Sequence, residues 1–149
     1  PPMRIPQLSV RIENKLGQLI SPCELLADAG INIVTLSLAD SPEFGILRLI
    51  VREWQRARDV LEAAGVEVTV TEVLAIEVRD QPGGLVELLK IFAKAGISVT
   101  FMYAFTARLG DSAIMVFSFD DLDAAILALA RAEINPVSPV TLYDHLDEV

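Results

Sequence analysis

At 149 residues the chain has room for one ordinary domain or two small ones, and 52% hydrophobic residues with a mean hydropathy of +0.47 is a strongly apolar balance. A net charge of −9, with the acids spread along the chain, excludes a phosphate-backbone binder, which needs clustered Lys and Arg. The single cysteine, Cys23, excludes disulfide frameworks and CxxC metal sites, and no apolar run reaches the roughly eighteen residues that a membrane span needs.

No basic, then apolar, then small-residue leader opens the sequence. The expected setting is therefore the cytoplasm, with no nucleic-acid or membrane partner, no metal and no cofactor.

Residues 1–6, with three prolines, read as an irregular lead-in. Leu8 to Ile12 alternates apolar and polar side chains, as a half-buried strand does. After a turn at Glu13–Gly17, the residues Leu19, Ile20, Cys23, Leu26 and Ala27 fall on one helical stripe. Ser21-Pro22-Cys23-Glu24 has the form of a capping box, but a start near Gln18 is favoured, because the later copy of this helix carries no proline. Gly30 stops the helix. Strands are expected at Ile31–Ala39 and Ile46–Arg52, a helix at Trp54–Ala64 with Trp54, Ala57, Val60, Leu61 and Ala64 inward, and a strand at Val66–Val70. The order is βαββαβ.

The order then recurs. A strand at Leu74–Val78 leads to a helix with Leu85, Leu88, Leu89 and Phe92 on one face. Strands follow at Ile97–Ala107 and Ser112–Phe119 around Leu109-Gly110-Asp111. A helix capped by Asp120 or Asp121 turns Leu122, Ala125, Ile126 and Leu129 inward, and Val137–Tyr143 is expected as the last strand. The recurrence is an ungapped repeat: 83 − 17, 85 − 19, 96 − 30 and 97 − 31 are each 66, carrying Gly onto Gly, Leu onto Leu and Ile onto Ile. Two units result, 7–72 and 73–145, joined with almost no linker. The fold class is α+β: two ferredoxin-like βαββαβ units packed side by side, each an antiparallel sheet with helices on one face. Units this small bury only about 60% of their unfolded surface. That limit, the apolar excess and the open sheet edges together imply a homodimer.

The turns hold the candidate chemistry. They are Asn14, Lys15, Leu16, Gly17 and Gln18 in the first copy, and Asp80, Gln81, Pro82, Gly83 and Gly84 in the second. Free N–H groups at a helix start, aided by the macrodipole, suit a carboxylate, and glycine lets main chain approach it closely. The amide oxygens of Asn14 and Asn32, or the carboxylate of Asp80, accept from an ammonium. Main-chain groups of Ile33 and Val99 complete such a site. Taken singly, each residue has a plainer reading: Asn14 and Asp80 as turn formers, Gly30 and Gly96 as helix stops, Asn32 as a strand-end polar group. Their joint recurrence favours binding.

Glu13-Asn14-Lys15-Leu16-Gly17 followed by Ala29-Gly30-Ile31-Asn32-Ile33 resembles the ACT domain, and Asp80-Gln81-Pro82-Gly83-Gly84 matches that family's D-x-P-G turn more closely still. The resemblance runs from Leu8 to Tyr143 and is to stand-alone proteins made of two ACT domains. It implies a regulatory protein, not an enzyme, that binds a free amino acid where the first loop of one unit meets the second strand of another, and that signals to a separate regulated enzyme. Asn14 and Asn32 match the two effector-holding asparagines of serine-responsive members, with Asp80 and Ser98 at those places in the second copy. Ile12 stands where those members carry His, and Leu16 where Pro is usual, so the resemblance leaves the amino acid unnamed. The rival readings are a ligand-free interaction scaffold and an acylphosphatase-like hydrolase. The hydrolase needs an Arg-bearing phosphate loop, for which Lys15 and Arg79 are weak substitutes. RNA recognition on this fold requires basic charge and an RNP pattern that the sequence lacks.

Overall fold

The computed structural model describes residues 3–13, 17–40 and 43–147. The chain divides into two compact units, Pro6–Thr71 and Pro1–Ile5 together with Glu72–Val149. The α+β class, with antiparallel strand pairing and helices, is as the sequence implies.

In the first unit β1 (Ile5–Glu13), α1 (Ile20–Asp28), β2 (Thr35–Asp40), β3 (Phe44–Ile50), α2 (Trp54–Ala63) and the opening of β4 (Val68–Arg79) follow in order. β3 pairs antiparallel with β1 (Leu8↔Leu49, Val10↔Leu47) and with β2 (Leu36↔Leu49, Leu38↔Leu47). Strand side chains alternate between faces, so Leu8, Val10, Leu47 and Leu49 share one face, where they bury with Leu26, Ala57 and Leu61 of the helices. The expected stripe of α1 is only partly realised. Leu26 is buried and Cys23 packs on the core, while Leu19, Ile20 and Ala27 are exposed. Ala64, expected inward, is exposed beyond the end of α2.

The second unit takes the rest of β4, then α3 (Gly84–Lys94), β5 (Val99–Leu109), β6 (Ser112–Phe119), α4 (Leu122–Arg131) and α5 (Pro139–Asp147). β6 pairs antiparallel with β4 (Leu74↔Phe117, Ile76↔Met115) and with β5. Phe92 of α3 meets Phe117 and Phe119 edge-on, with ring centroids 5.8 and 4.8 Å apart, inside a core that includes Leu88, Ala125 and Leu129. The two strands expected at Val66–Val70 and Leu74–Val78 are one strand, β4, of 12 residues.

One expected element is overturned. Val137–Tyr143 is not a strand: Val137 alone bridges Ala75, its N–H donating to the Ala75 carbonyl at 2.8 Å, and α5 begins at Pro139. Pro136 and Pro139 have no N–H for a ladder. Ser138 instead caps a helix, its Oγ accepting from the Thr141 N–H at 3.2 Å with Pro139 in the first turn. The similar Ser21-Pro22 does not act this way. α1 starts at Ile20 with Leu19 at the N-cap and no side-chain cap, which overturns the capping-box form. Pro22 is then the third helical residue, where no intrahelical acceptor is lost. The start lies two residues after the expected Gln18.

All four helices α1 to α4 end in the same hydrogen-bond pair. The residue after the C-cap donates three residues back, and the next donates five back: Gly30 to Ala27 and Ile31 to Leu26 in α1, Gly96 to Ala93 and Ile97 to Phe92 in α3. The Ala-Gly-Ile repeat is therefore a helix stop whose isoleucine enters the core, the plainer of its two readings. It also delays the following strand, so β2 starts at Thr35 and not at Ile31. In α4 the left-handed position falls to Glu133, φ 59°, among described residues the one non-glycine at positive φ. A Cβ there costs about 1 kcal/mol. Replacing Glu133 by Gly is expected to raise stability by about 0.5–1 kcal/mol in urea unfolding with an unchanged m-value.

Candidate functional site

The second copy of the turn is described throughout. β4 ends at Arg79, whose carbonyl accepts from the Gln81 N–H at 2.9 Å, and Gly84 N–H donates to the Gln81 carbonyl at 3.1 Å. Gly83 is the N-cap of α3 at φ 86°, a left-handed conformation that reverses the chain within one residue. A glycine cap offers no side-chain acceptor, so the first turn of α3 has no side-chain cap. Gly84 serves the turn itself: a Cβ built there lies 2.3 Å from the Arg79 carbonyl oxygen. Asp80, Gln81 and Pro82 are exposed around this bend.

In the first copy Gly17 has φ 84° and its carbonyl accepts from the Ile20 N–H at 3.2 Å, ahead of the equally uncapped start of α1. Gly17 and Gln18 are exposed, while Asn14, Lys15 and Leu16 lie outside the described residues.

The strand half of the candidate site stands elsewhere in each unit. Asn32 is exposed, and Ile33 is half-buried against the first core. Ser98 is exposed and Val99 packs against the second core. The turn and these residues sit at opposite ends of α1, nine residues, and of α3, eleven residues. At about 1.5 Å per residue those helices are roughly 13 and 16 Å long. No unit brings its own two halves together.

Two side chains bear on these residues that the sequence reading missed. Arg108 Nη2 donates to Asp80 Oδ2 at 2.7 Å, so the candidate ammonium acceptor is already ion-paired. Asp120 accepts from the Ser98 N–H at 3.0 Å and donates its own N–H to the Ser98 carbonyl at 3.1 Å, engaging both main-chain groups of Ser98. Asp121 takes the N-cap of α4 by accepting from the Ala124 N–H at 3.0 Å, which leaves its neighbour for this second task. The Asp-Asp pair was the available signal.

Each unit also has an open groove beside its turn. The first, about 720 Å³, is lined by Arg11, Gln18, Ser21, Phe44, Gly65 and Glu67 among others. The second, about 510 Å³, includes Arg79, Gly84, Glu87, Ser112, Glu133 and Asn135. Gln18 and Gly84 are 66 positions apart, so the grooves occupy the same place in the repeat. Both grooves carry both signs of charge, and in the first Arg11 stacks over Phe44 at 4.2 Å from the ring centre. Among the described residues no three His, Cys, Asp or Glu side chains gather as a metal site, and no helix is long and apolar enough to cross a membrane.

Comparison with known proteins adds to this geometry. The family model for the ACT domain pair matches residues 3–142. A crystal structure of a Bacteroides thetaiotaomicron protein is 31% identical over 95% of this chain and 96% of that one, with a TM-score of 0.86. The ligand-free regulatory subunit of aspartate kinase from Thermus thermophilus is 17% identical, covering 87% of this chain and 93% of that one at a TM-score of 0.62. The regulatory subunit of aspartate kinase from Thermus flavus is also 17% identical, covering 88% and 94% at 0.61. At that identity the likeness to the kinase subunits is one of fold. No curated protein matches the chain.

The packing around the second turn predicts a steep response to added volume. Gly84→Ala must push the new methyl off the Arg79 carbonyl, 2.3 Å away, and is expected to lower the melting temperature by several degrees. Gly83→Ala, with open space around its Cβ, pays only the left-handed backbone cost of about 1 kcal/mol. Thermal unfolding of the two variants checks the ranking.

Proposed function

The chain belongs to the family of ACT domain pairs, and we propose that it is a non-catalytic regulatory protein that binds a free amino acid or a similar small zwitterion. The observation that carries this reading is the recurrence, 66 residues apart, of a left-handed glycine, Gly17 and Gly83, ahead of a helix with no side-chain cap, α1 from Ile20 and α3 from Gly84. Each offers main-chain donors to a carboxylate where no side chain competes.

The turn residues Asn14, Lys15, Leu16, Gly17 and Gln18, with Asp80, Gln81, Pro82, Gly83 and Gly84, form one half of the site. Asn32, Ile33, Ser98 and Val99 form the other. Because α1 and α3 separate the halves within each unit, a ligand held by both needs two ACT-like units, from this chain or from a second copy. The edge strand β2 supports a homodimer, since Leu36 and Leu38 are 47% and 50% exposed although they pair with buried Leu49 and Leu47. The fold shared with regulatory subunits of aspartate kinase supports a separate enzyme as the recipient of the signal. The setting is cytoplasmic, without nucleic-acid or membrane partners.

A ligand of about ten heavy atoms binds in the micromolar to millimolar range. Thermal shift across the twenty amino acids tests the reading: a binder present at a hundred times its Kd adds about 2.7 kcal/mol of stability. A flat profile across all twenty contradicts it.

A further inference from the structure

The ion pair of Asp80 and Arg108, 2.7 Å from Oδ2 to Nη2, ties the turn before α3 to the end of β5. The same Nη2 donates to the Asp111 carbonyl at 3.0 Å, which fixes the guanidinium from a second side. Both side chains stay open to solvent, Arg108 at 51% and Asp80 at 64%. A pair this exposed adds little to folding, so stability gives no account of it.

The pairing also separates the two copies of the repeat. Asp80 stands 66 residues after Asn14, but the hairpin of the second copy is two residues longer, so by strand register Arg108, opposite Ala113, takes the place of Asp40, opposite Gly45. The second copy therefore pairs an acid with a cation at a place where the first has an amide and an acid and no cation.

A guanidinium and a carboxylate in contact, next to an uncapped helix start, are complementary to a zwitterion. The planar guanidinium fork matches a carboxylate, and the aspartate accepts from an ammonium. In an α-amino acid those two groups stand about 3 Å apart, the spacing of adjacent bonds. We propose that Arg108 is a ligand-binding residue of the second copy, taking the carboxylate of an α-amino acid whose ammonium is taken by Asp80. It joins the first-turn N–H groups of α3 in that role and gives the second site a cation that the first copy lacks at that place. The inference rests on the reading of the Asp80 turn as an amino-acid site.

Calorimetric titration of the full chain with the twenty amino acids, and then with the α-carboxamide of whichever binds, tests it. In the wild type, exchanging carboxylate for carboxamide is expected to weaken binding at least tenfold. R108Q is expected to weaken the amino acid at least tenfold and to leave the carboxamide unchanged, with little change in melting temperature. Should an unpaired Asp80 impair folding of R108Q, comparing D80N/R108Q with D80N isolates Arg108 in the same way. Equal affinity of R108Q and wild type for the amino acid, or an equal loss for acid and carboxamide, overturns the inference while leaving the regulatory reading intact. If the wild type binds none of the twenty, the regulatory reading fails first and this inference with it.

Discussion

The second unit depends on passing from β4 to α3 within a few residues, with no room for a side chain where helix meets strand. Gly83 manages this at φ 86°, and Gly84 lies so close to the Arg79 carbonyl that no side chain fits between them. The constraint has a chemical by-product. A helix entered through glycine has no serine, threonine or aspartate at its N-cap, so its first N–H groups face outward unpaired by side chains. α4 shows the contrast, since Asp121 caps it and satisfies one of those donors. The same economy thus leaves the start of α3 without a side-chain cap, and α1 starts without one as well.

The copies differ in what surrounds that end. In the second, Asp80 is held by Arg108 and the main chain of Ser98 is held by Asp120. By strand register and helix start, which run 68 residues apart in this half of the repeat, the counterparts of Arg108 and Asp120 are Asp40 and Arg52, each of the opposite charge. Duplication has therefore kept the backbone device and changed the polar groups around it. Two sites built from such turns need not share one ligand or one affinity.

Much of this was legible in the sequence because it rests on periodicity and on glycine. The offset of 66, the stripes of α3 and α4, the hairpin at Leu109–Asp111 and the fold class follow from residue spacing alone. What was not legible depends on competition between local signals. Ser21-Pro22 and Ser138-Pro139 look alike, yet only the second caps a helix; in the first copy the turn at Gly17 starts the helix earlier, at Ile20. The strand expected at Val137 is lost to the prolines on either side and to that cap. Arg108 and Asp120 could not be assigned from spacing, because their partners lie 28 and 22 residues away and are brought close only by the strands between.

The central claim is that the glycine-led helix starts are where a ligand's carboxylate is received. Backbone amide chemical shifts, followed as an amino acid is titrated into the labelled full-length chain, address it residue by residue. The account predicts saturable shifts at Gly17, Gly83 and Gly84 and in the first turns of α1 and α3, with Asn32 or Ser98 moving on the same binding curve. Shifts confined to other surfaces, with these amides unmoved at saturation, would contradict it.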